Sequence, residues 1–203
     1  MKKIVIPGDK IADKVLQVPH SYTEDGATYA TVLGYLDEGR YTPLEGRYKP
    51  ALGDIVVGIV IDSRRVGYSV DIHLSSSAFV AGRDLRTKLN LGDIISGKIR
   101  ETDELGNVDL SDVGKLTPGK IIEFPSAKIP RLIGRKSSML NLIRDNIGGD
   151  ITVGNNGYVW VSEGSNIPLA IKTLNLIKSK AHLSGLTDEV AEFLQKEKAK
   201  TGE

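Results

Sequence analysis

The sequence contains no cysteine. That absence excludes a thiolate zinc site, a cysteine nucleophile and a disulfide framework together, and it fits a reducing compartment. Long apolar runs are also missing, since no stretch nears the ~20 residues needed to span a bilayer. The opening "MKKIVIPGDK" is interrupted by Pro7, Gly8 and Asp9 before a signal-peptide core can form. The expectation is a cytoplasmic protein with no membrane partner. Charge of one sign is not in excess: 27 Lys and Arg against 26 Asp and Glu leave a formal net charge of +1. A histone-like or tail-driven polyanion binder is thereby excluded, and any nucleic-acid surface must be local. Histidine is scarce, with His20, His73 and His182 far apart and no carboxylate pair, nucleophile elbow or metal spacing beside them. No catalytic set and no cofactor site emerge. His73 reads as a solvent-facing strand residue, and His182, near a helix end, suits the helix dipole.

What is present divides by composition. A chain of 203 residues exceeds the usual ~100–150-residue domain, so two or three small domains are expected. The front is rich in Gly and alternating β-branched residues and the back carries helix-period runs, giving a mainly β fold with a C-terminal α/β part. Residues 1–52 read as a small N-terminal β domain with turn clusters at Glu24-Asp25-Gly26 and Asp37-Glu38-Gly39. Residues 53–115 hold five strand-like segments, "DIVVGIVID", "VGYSVDIHL", "SAFVA", "GDIISGKIR" and "NVDLS", which suit a small closed barrel of the OB kind. In the second of these Val66, Tyr68, Val70, Ile72 and Leu74 alternate with polar or glycine positions, so all five are expected to face the core.

Residues 116–203 read as strand, helix, helix, strand, strand, helix. Residues 119–128 read as a strand, "IPRLI" as a short helix and Ser138 to Ile147 as a second, and a hairpin joins "DITV" to "YVWV". From Ile167 to His182 a long helix is expected to bury Ile167, Ala170, Ile171, Leu174, Ile177 and Ala181. A last, polar helix begins at Asp188 and ends in a frayed Lys/Glu tail.

Two motifs stand out. "LIGRKSSML", Leu132 to Leu140, sets Gly134, Arg135 and Lys136 before two serines. It is not a Walker loop, because Gly134 is followed by Arg135 and Ile129 occupies the position five residues upstream. Two readings stay open: a backbone clamp for RNA, or a helix start capped by Ser137 or Ser138 with solvated cations. Between Gly119 and Arg144 six cations (Lys120, Lys128, Arg131, Arg135, Lys136, Arg144) face the single anion Glu123, a local basic run in a neutral chain. "GNNG", Gly154, Asn155, Asn156 and Gly157, reads as a structural turn, with Asn156-Gly157 supplying the positive φ of a tight primed hairpin.

The order of elements in the last segment resembles a KH domain, whose short helices meet at a Gly-x-x-Gly loop. The five strands before it resemble an S1-type OB domain. With "VIPGDKIAD", "PLEGRYKPALGDIVVG" and "VGNNGYVWV" in this order, nearly the whole chain resembles the S1/KH-domain RNA-binding cap subunits of the RNA exosome, and its compact length resembles the archaeal form. The resemblance implies a noncatalytic subunit whose N-terminal domain docks on a ring of RNase PH-like subunits. Several copies would surround a pore and thread single-stranded RNA to the ring for degradation or tailing. It departs from the family patterns at Ser137, where the second loop glycine would fall, and at Ser69 and Ala81, where many S1 domains carry a phenylalanine and a histidine. The RNA-binding candidates are therefore the loop cations Arg64, Arg65, Arg83, Arg86 and Lys88, together with Gly134, Arg135 and Lys136. The other readings are a free-standing S1/KH factor in transcription or translation, and a purely structural ring stabiliser.

Overall fold

The computed structural model describes residues 3–37, 39–85, 87–103, 106–183 and 185–201, without the side chains of 40, 200 and 201. The first six strands are β1 (Lys3–Val5), β2 (Lys10–Ala12), β3 (Ser21–Glu24), β4 (Ala27–Ala30), β5 (Gly34–Asp37) and β6 (Arg40–Pro43). They form two antiparallel three-stranded sheets, ordered β1-β5-β6 and β2-β4-β3. Asp25 (φ 48°) and Gly26 (φ 75°) both take left-handed backbone between β3 and β4, the requirement of a two-residue primed turn. The core of this part is small: Val5, Ile11, Ala30 and Tyr41. Its buried Thr28 is satisfied by the chain, donating to Lys14 O at 2.7 Å and accepting from Leu16 N at 2.9 Å. So small a core leans on its neighbours.

The next five strands, β7 (Ile55–Arg64), β8 (Gly67–Asp71), β9 (Ala78–Ala81), β10 (Ile94–Thr102) and β11 (Val108–Lys115), close into a barrel. All pairings are antiparallel except β9 with β11, which is parallel. Val56, Val60, Val70, Ile72, Val80, Ile95, Ile99 and Leu110 fill it. The expected inward run of the second strand holds only in part. Val70 and Ile72 are fully buried, and Tyr68 and Leu74 pack at the edge of the core, but Val66 lies in the hairpin turn and is 70% exposed.

The last part comprises β12 (Gly119–Glu123), α1 (Ile129–Ile133), α2 (Ser138–Ile147), β13 (Ile151–Val153), β14 (Tyr158–Ser162), α3 (Ile167–Lys180) and α4 (Leu186–Thr201). Its sheet runs β12-β14-β13, and the helices bury Leu132, Met139, Ile143, Leu174 and Ile177 against it. Asn166 caps α3, its side-chain oxygen accepting from Leu169 N at 3.0 Å, an arrangement that satisfies one orphan donor of the first turn. The buried face of α3 differs from the expected one. Leu169 and Thr173 join Ala170, Leu174 and Ile177, whereas Ile171 is 40% exposed. Ile171 stands roughly 120° round the helix from the midline of that face, at ~100° per residue. Helix α4 also departs from expectation. It starts at Leu186, and Leu186, Val190 and Leu194 bury a stripe at four-residue spacing, so it is amphipathic rather than polar.

Barrel and C-terminal fold meet along a seam. Val57, on the outer side of β7, packs with Tyr158 and Trp160 of β14. Beside them the Asn156 side chain, 3% exposed, bonds three barrel backbone groups: it accepts from Val57 N (3.2 Å) and donates to Val57 O (2.7 Å) and Ile72 O (2.9 Å).

Candidate nucleic-acid interface

Gly134 ends α1, its N–H donating to Pro130 O at 3.1 Å, and Arg135–Ser137 form a single 3-10 turn before α2. The turn is held in unusual backbone. Gly134 has φ 75°, and a Cβ there would lie 2.9 Å from Met139 N. Lys136 (φ 49°) and Ser137 (φ 61°) are left-handed in succession without being glycine, at a cost of order 1–2 kcal/mol each. Ser137 stands at the N-cap of α2 yet makes no side-chain capping bond, because its left-handed backbone differs from the extended one a capping serine uses. The capped-helix reading of Ser137 is therefore corrected. Arg135 and Lys136 are exposed.

The basic run around this loop is divided by the fold. Lys128 Nζ donates to Lys178 O at 2.8 Å, and Arg131 donates to Ala181 O at 2.8 Å and to Leu183 O. These two cations close the C-terminal end of α3, where carbonyls lack helical partners. Burial, then the charge of Lys178, lowers the Lys128 ammonium below its ordinary pKa. Arg144 lies on α2 and Lys120 on β12, leaving Arg135 and Lys136 as the cations of the loop itself.

On the barrel, Arg64 ends β7 and Arg65 occupies the turn into β8. Gly82 N donates to Val66 O at 3.0 Å, which draws the 3-10 turn Gly82–Asp84 against the β7–β8 turn and sets Arg83 on the same rim as Arg64 and Arg65. Their environments differ. Arg64 Nε is 2.7 Å from Asp62 and depresses that carboxyl, whereas Arg83, with its side chain 83% exposed, stands 3.7 Å from Asp84. Asp84 is shared with Arg100, which also reaches Asp109; no local pattern in the sequence points to this network. Lys88 is exposed, and Arg86 lies outside the described residues. Ser69 and Ala81 offer no ring, but Phe79 is paired directly with Ser69 and alternates with the buried Ala78 and Val80. It therefore faces outward, its ring over the side-chain-free Gly67. The odd phase of "SAFVA" was the available signal for it.

The "GNNG" turn is structural, but of another type than expected. Gly157 N donates to Gly154 O at 3.1 Å, and of the four residues only Gly157 (φ 91°) takes positive φ. Asn155 and Asn156 thus form an ordinary turn followed by a left-handed glycine, the three-residue hairpin loop, rather than a primed Asn-Gly pair. A Cβ on Gly157 would sit 2.5 Å from Phe124 O. The turn faces the barrel: Asn155 Nδ2 donates to Asp54 at 2.8 Å, and Asn156 makes the seam described above.

The histidines lie apart. His73 follows β8 with φ 63°, its ring 4.7 Å from that of Tyr158. Burial, with Asp71 beside it, pushes the Tyr158 phenol up to about 12. His182, just beyond α3, stacks on Tyr35 of β5 at 5.6 Å and joins the N-terminal domain to the C-terminal fold. His20 (φ 58°) lies against Gly46. It lines a cleft of about 830 Å³ with Tyr22, Lys49, Ile133, Gly134 and Arg135. Sequence reasoning missed this cleft, since its walls come from segments far apart in the chain.

A small β domain, a closed five-stranded barrel and a KH-like α/β fold with a basic α1–α2 loop define a class, the multidomain OB-plus-KH proteins. Comparison agrees: residues 119–167 match the KH domain family. A solved structure of a candidate exosome complex RNA-binding protein superposes with a TM-score of 0.66 at 27% identity, covering 76% of this chain and 98% of that one. Exosome complex component Rrp4 of Picrophilus torridus is 34% identical, over 98% of this chain and 94% of that protein. The Rrp4 of Nitrosopumilus maritimus is also 34% identical, over 96% of each. The chain belongs to the Rrp4 family of exosome complex components.

Proposed function

We infer that this chain is the noncatalytic RNA-binding cap subunit of an exosome-like complex, delivering single-stranded RNA to an RNase PH-like ring in the cytoplasm. The observation that carries the reading is similarity to Rrp4 proteins along nearly the full chain. Residues 1–52 would dock on the ring, a role supported by the edge strand β1 with its exposed Ile4 and by the exposed Ile6 that follows it. Residues 53–115 would place Arg64, Arg65 and Arg83 at the opening shared with other cap copies, with Phe79 beside them. Residues 116–203 would contribute Arg135 and Lys136. Cations on loops suit a path that follows phosphates without reading sequence.

The test is reconstitution with RNase PH-like ring subunits, followed by size-exclusion chromatography and RNA crosslinking. Co-elution with crosslinks to this chain supports the reading; co-elution without them makes the chain a scaffold, and failure to co-elute makes it a free-standing RNA-binding factor. The isolated chain is expected to show no ribonuclease activity with or without phosphate or magnesium. Metal-dependent cleavage that survives repurification would overturn the noncatalytic assignment.

A further inference from the structure

The KH-like loop does not face open solvent on all sides. Gly134 and Arg135 form one wall of the 830 Å³ cleft, Pro130 and Ile133 of α1 extend that wall, and the N-terminal domain supplies the other through residues 16–23 and Lys49. Its volume lies within the ~300–1,000 Å³ range of ligand-holding pockets, enough for a short stretch of an extended strand.

The lining has a definite charge character. Lys49 and Arg135 make no ion pair among the described residues, and Lys136 follows in the same loop. The one carboxylate of the lining among the described residues, Asp54, already accepts from Tyr48 Oη (2.6 Å), Ala51 N (3.2 Å) and Asn155 Nδ2 (2.8 Å). Its acceptor capacity is directed into the protein, while the cations keep their N–H donors for a ligand. Tyr22 adds an aromatic surface: it is 42% exposed, and its ring stacks on that of Tyr29 at 5.3 Å and 21°. Cations with no carboxylate partner beside an exposed tyrosine backed by a second, half-buried one are the chemistry of a single-stranded nucleic-acid groove, where phosphates meet ammonium or guanidinium groups and bases stack.

We propose that this cleft is a composite RNA groove in which the N-terminal domain, through Lys49 and Tyr22, completes a contact that the α1–α2 loop begins through Arg135. The left-handed Ser137 denies that loop the open two-glycine form, and the second half of the grip comes from another domain. The proposal deepens the RNA-binding reading above and rests on it.

The experiment uses the full chain, free and assembled on the ring, with a short unstructured fluorescent RNA and a thiouridine-containing RNA for crosslinking. Crosslinks are expected within residues 16–23 as well as at the barrel rim. Lys49→Glu is expected to lower the log-log salt slope by at least the ~0.7 that one neutralised single-strand phosphate supplies, with Lys49→Arg restoring it. Tyr22→Ala is expected to weaken binding about fivefold to a hundredfold, the equivalent of one base stack, while Tyr22→Phe stays near the parent and separates stacking from folding. Parent-like affinity and slope in Lys49→Glu and Tyr22→Ala, with crosslinks confined to Arg64, Arg65 and Arg83, would overturn the composite groove and leave the RNA-binding reading standing. No RNA bound by the assembled complex would overturn that reading itself. Hydrogen-exchange protection of residues 16–23 on ring assembly without crosslinks there would show a protein partner in the cleft and would also overturn the proposal.

Discussion

Asn156 and Val57 exchange two hydrogen bonds across the domain seam: Val57 N donates to the Asn156 side-chain oxygen at 3.2 Å, and the Asn156 side-chain nitrogen donates to Val57 O at 2.7 Å. The primary amide reproduces the donor and acceptor of a peptide group, so β7 finds on Asn156 what an edge strand otherwise seeks on a neighbouring strand. Asn156→Ala leaves the Val57 groups and the Ile72 carbonyl without this partner in a buried place. It is expected to destabilise the protein by about 2–4 kcal/mol, read from urea denaturation. Asn156→Asp, which keeps the acceptor and removes the donors, should be at least as damaging near neutral pH. A parent-like midpoint in both would mean that the seam does not contribute to stability.

At Gly157, where left-handed backbone meets Phe124 O, valine is expected to cost at least ~1–3 kcal/mol. Ser137→Gly relieves a left-handed serine and is expected to raise stability by up to about 1 kcal/mol. Arg135→Ala with Lys136→Ala should leave the thermal midpoint unchanged, since both side chains are exposed. Calorimetry of the three proteins checks the order.

Salt titration of RNA binding by the assembled complex tests the candidate arginines between residues 53 and 115. Replacing Arg64, Arg65, Arg83 and Arg86 by alanine should flatten the log-log slope, by about 0.7 for each phosphate that is no longer neutralised, and slow degradation by the ring while sparing very short RNAs. Among single variants Arg64→Ala should matter least, because Asp62 already holds that guanidinium. An unchanged slope in the quadruple variant would move the path to Arg135 and Lys136.

His20 gives the stability a pH dependence. Burial, then the nearby Lys49 ammonium, lowers its imidazole below the ordinary 6.5. The unfolded chain therefore takes up the proton first as pH falls. The contribution is present above about pH 6.5 and is lost as pH falls toward and through the lower folded value. His20→Gln is expected to flatten the denaturation midpoint over that interval relative to the parent. Parallel curves for the two proteins would show that His20 titrates alike in both states.

Where signals are local, the sequence is legible. Pro130, Gly134 and the serines bracket α1 and α2, whose observed limits, Ile129–Ile133 and Ser138–Ile147, coincide with those read from the sequence. The five barrel strands are equally clear from alternation and turn residues. What escapes is set by partners distant in sequence. Nothing near Lys128 or Arg131 shows that carbonyls at the end of α3 accept their hydrogen bonds, and Asn156 looks like a turn residue until Val57, 99 positions away, is placed beside it. Ile171 has a spacing that suits a buried stripe, yet packing alone decides where the midline of that stripe falls, and it falls elsewhere. The cleft is invisible for the same reason.

The seam also has a mechanical consequence. A joint that flexes needs slack between its halves, and here the Asn156 side chain, the Asn155–Asp54 contact and the packing of Val57 on Trp160 leave little. A pull on the arginine-bearing turns of the barrel is therefore expected to reach the C-terminal sheet as a displacement of the whole body, as a push on one arm of a rigid bracket moves the other.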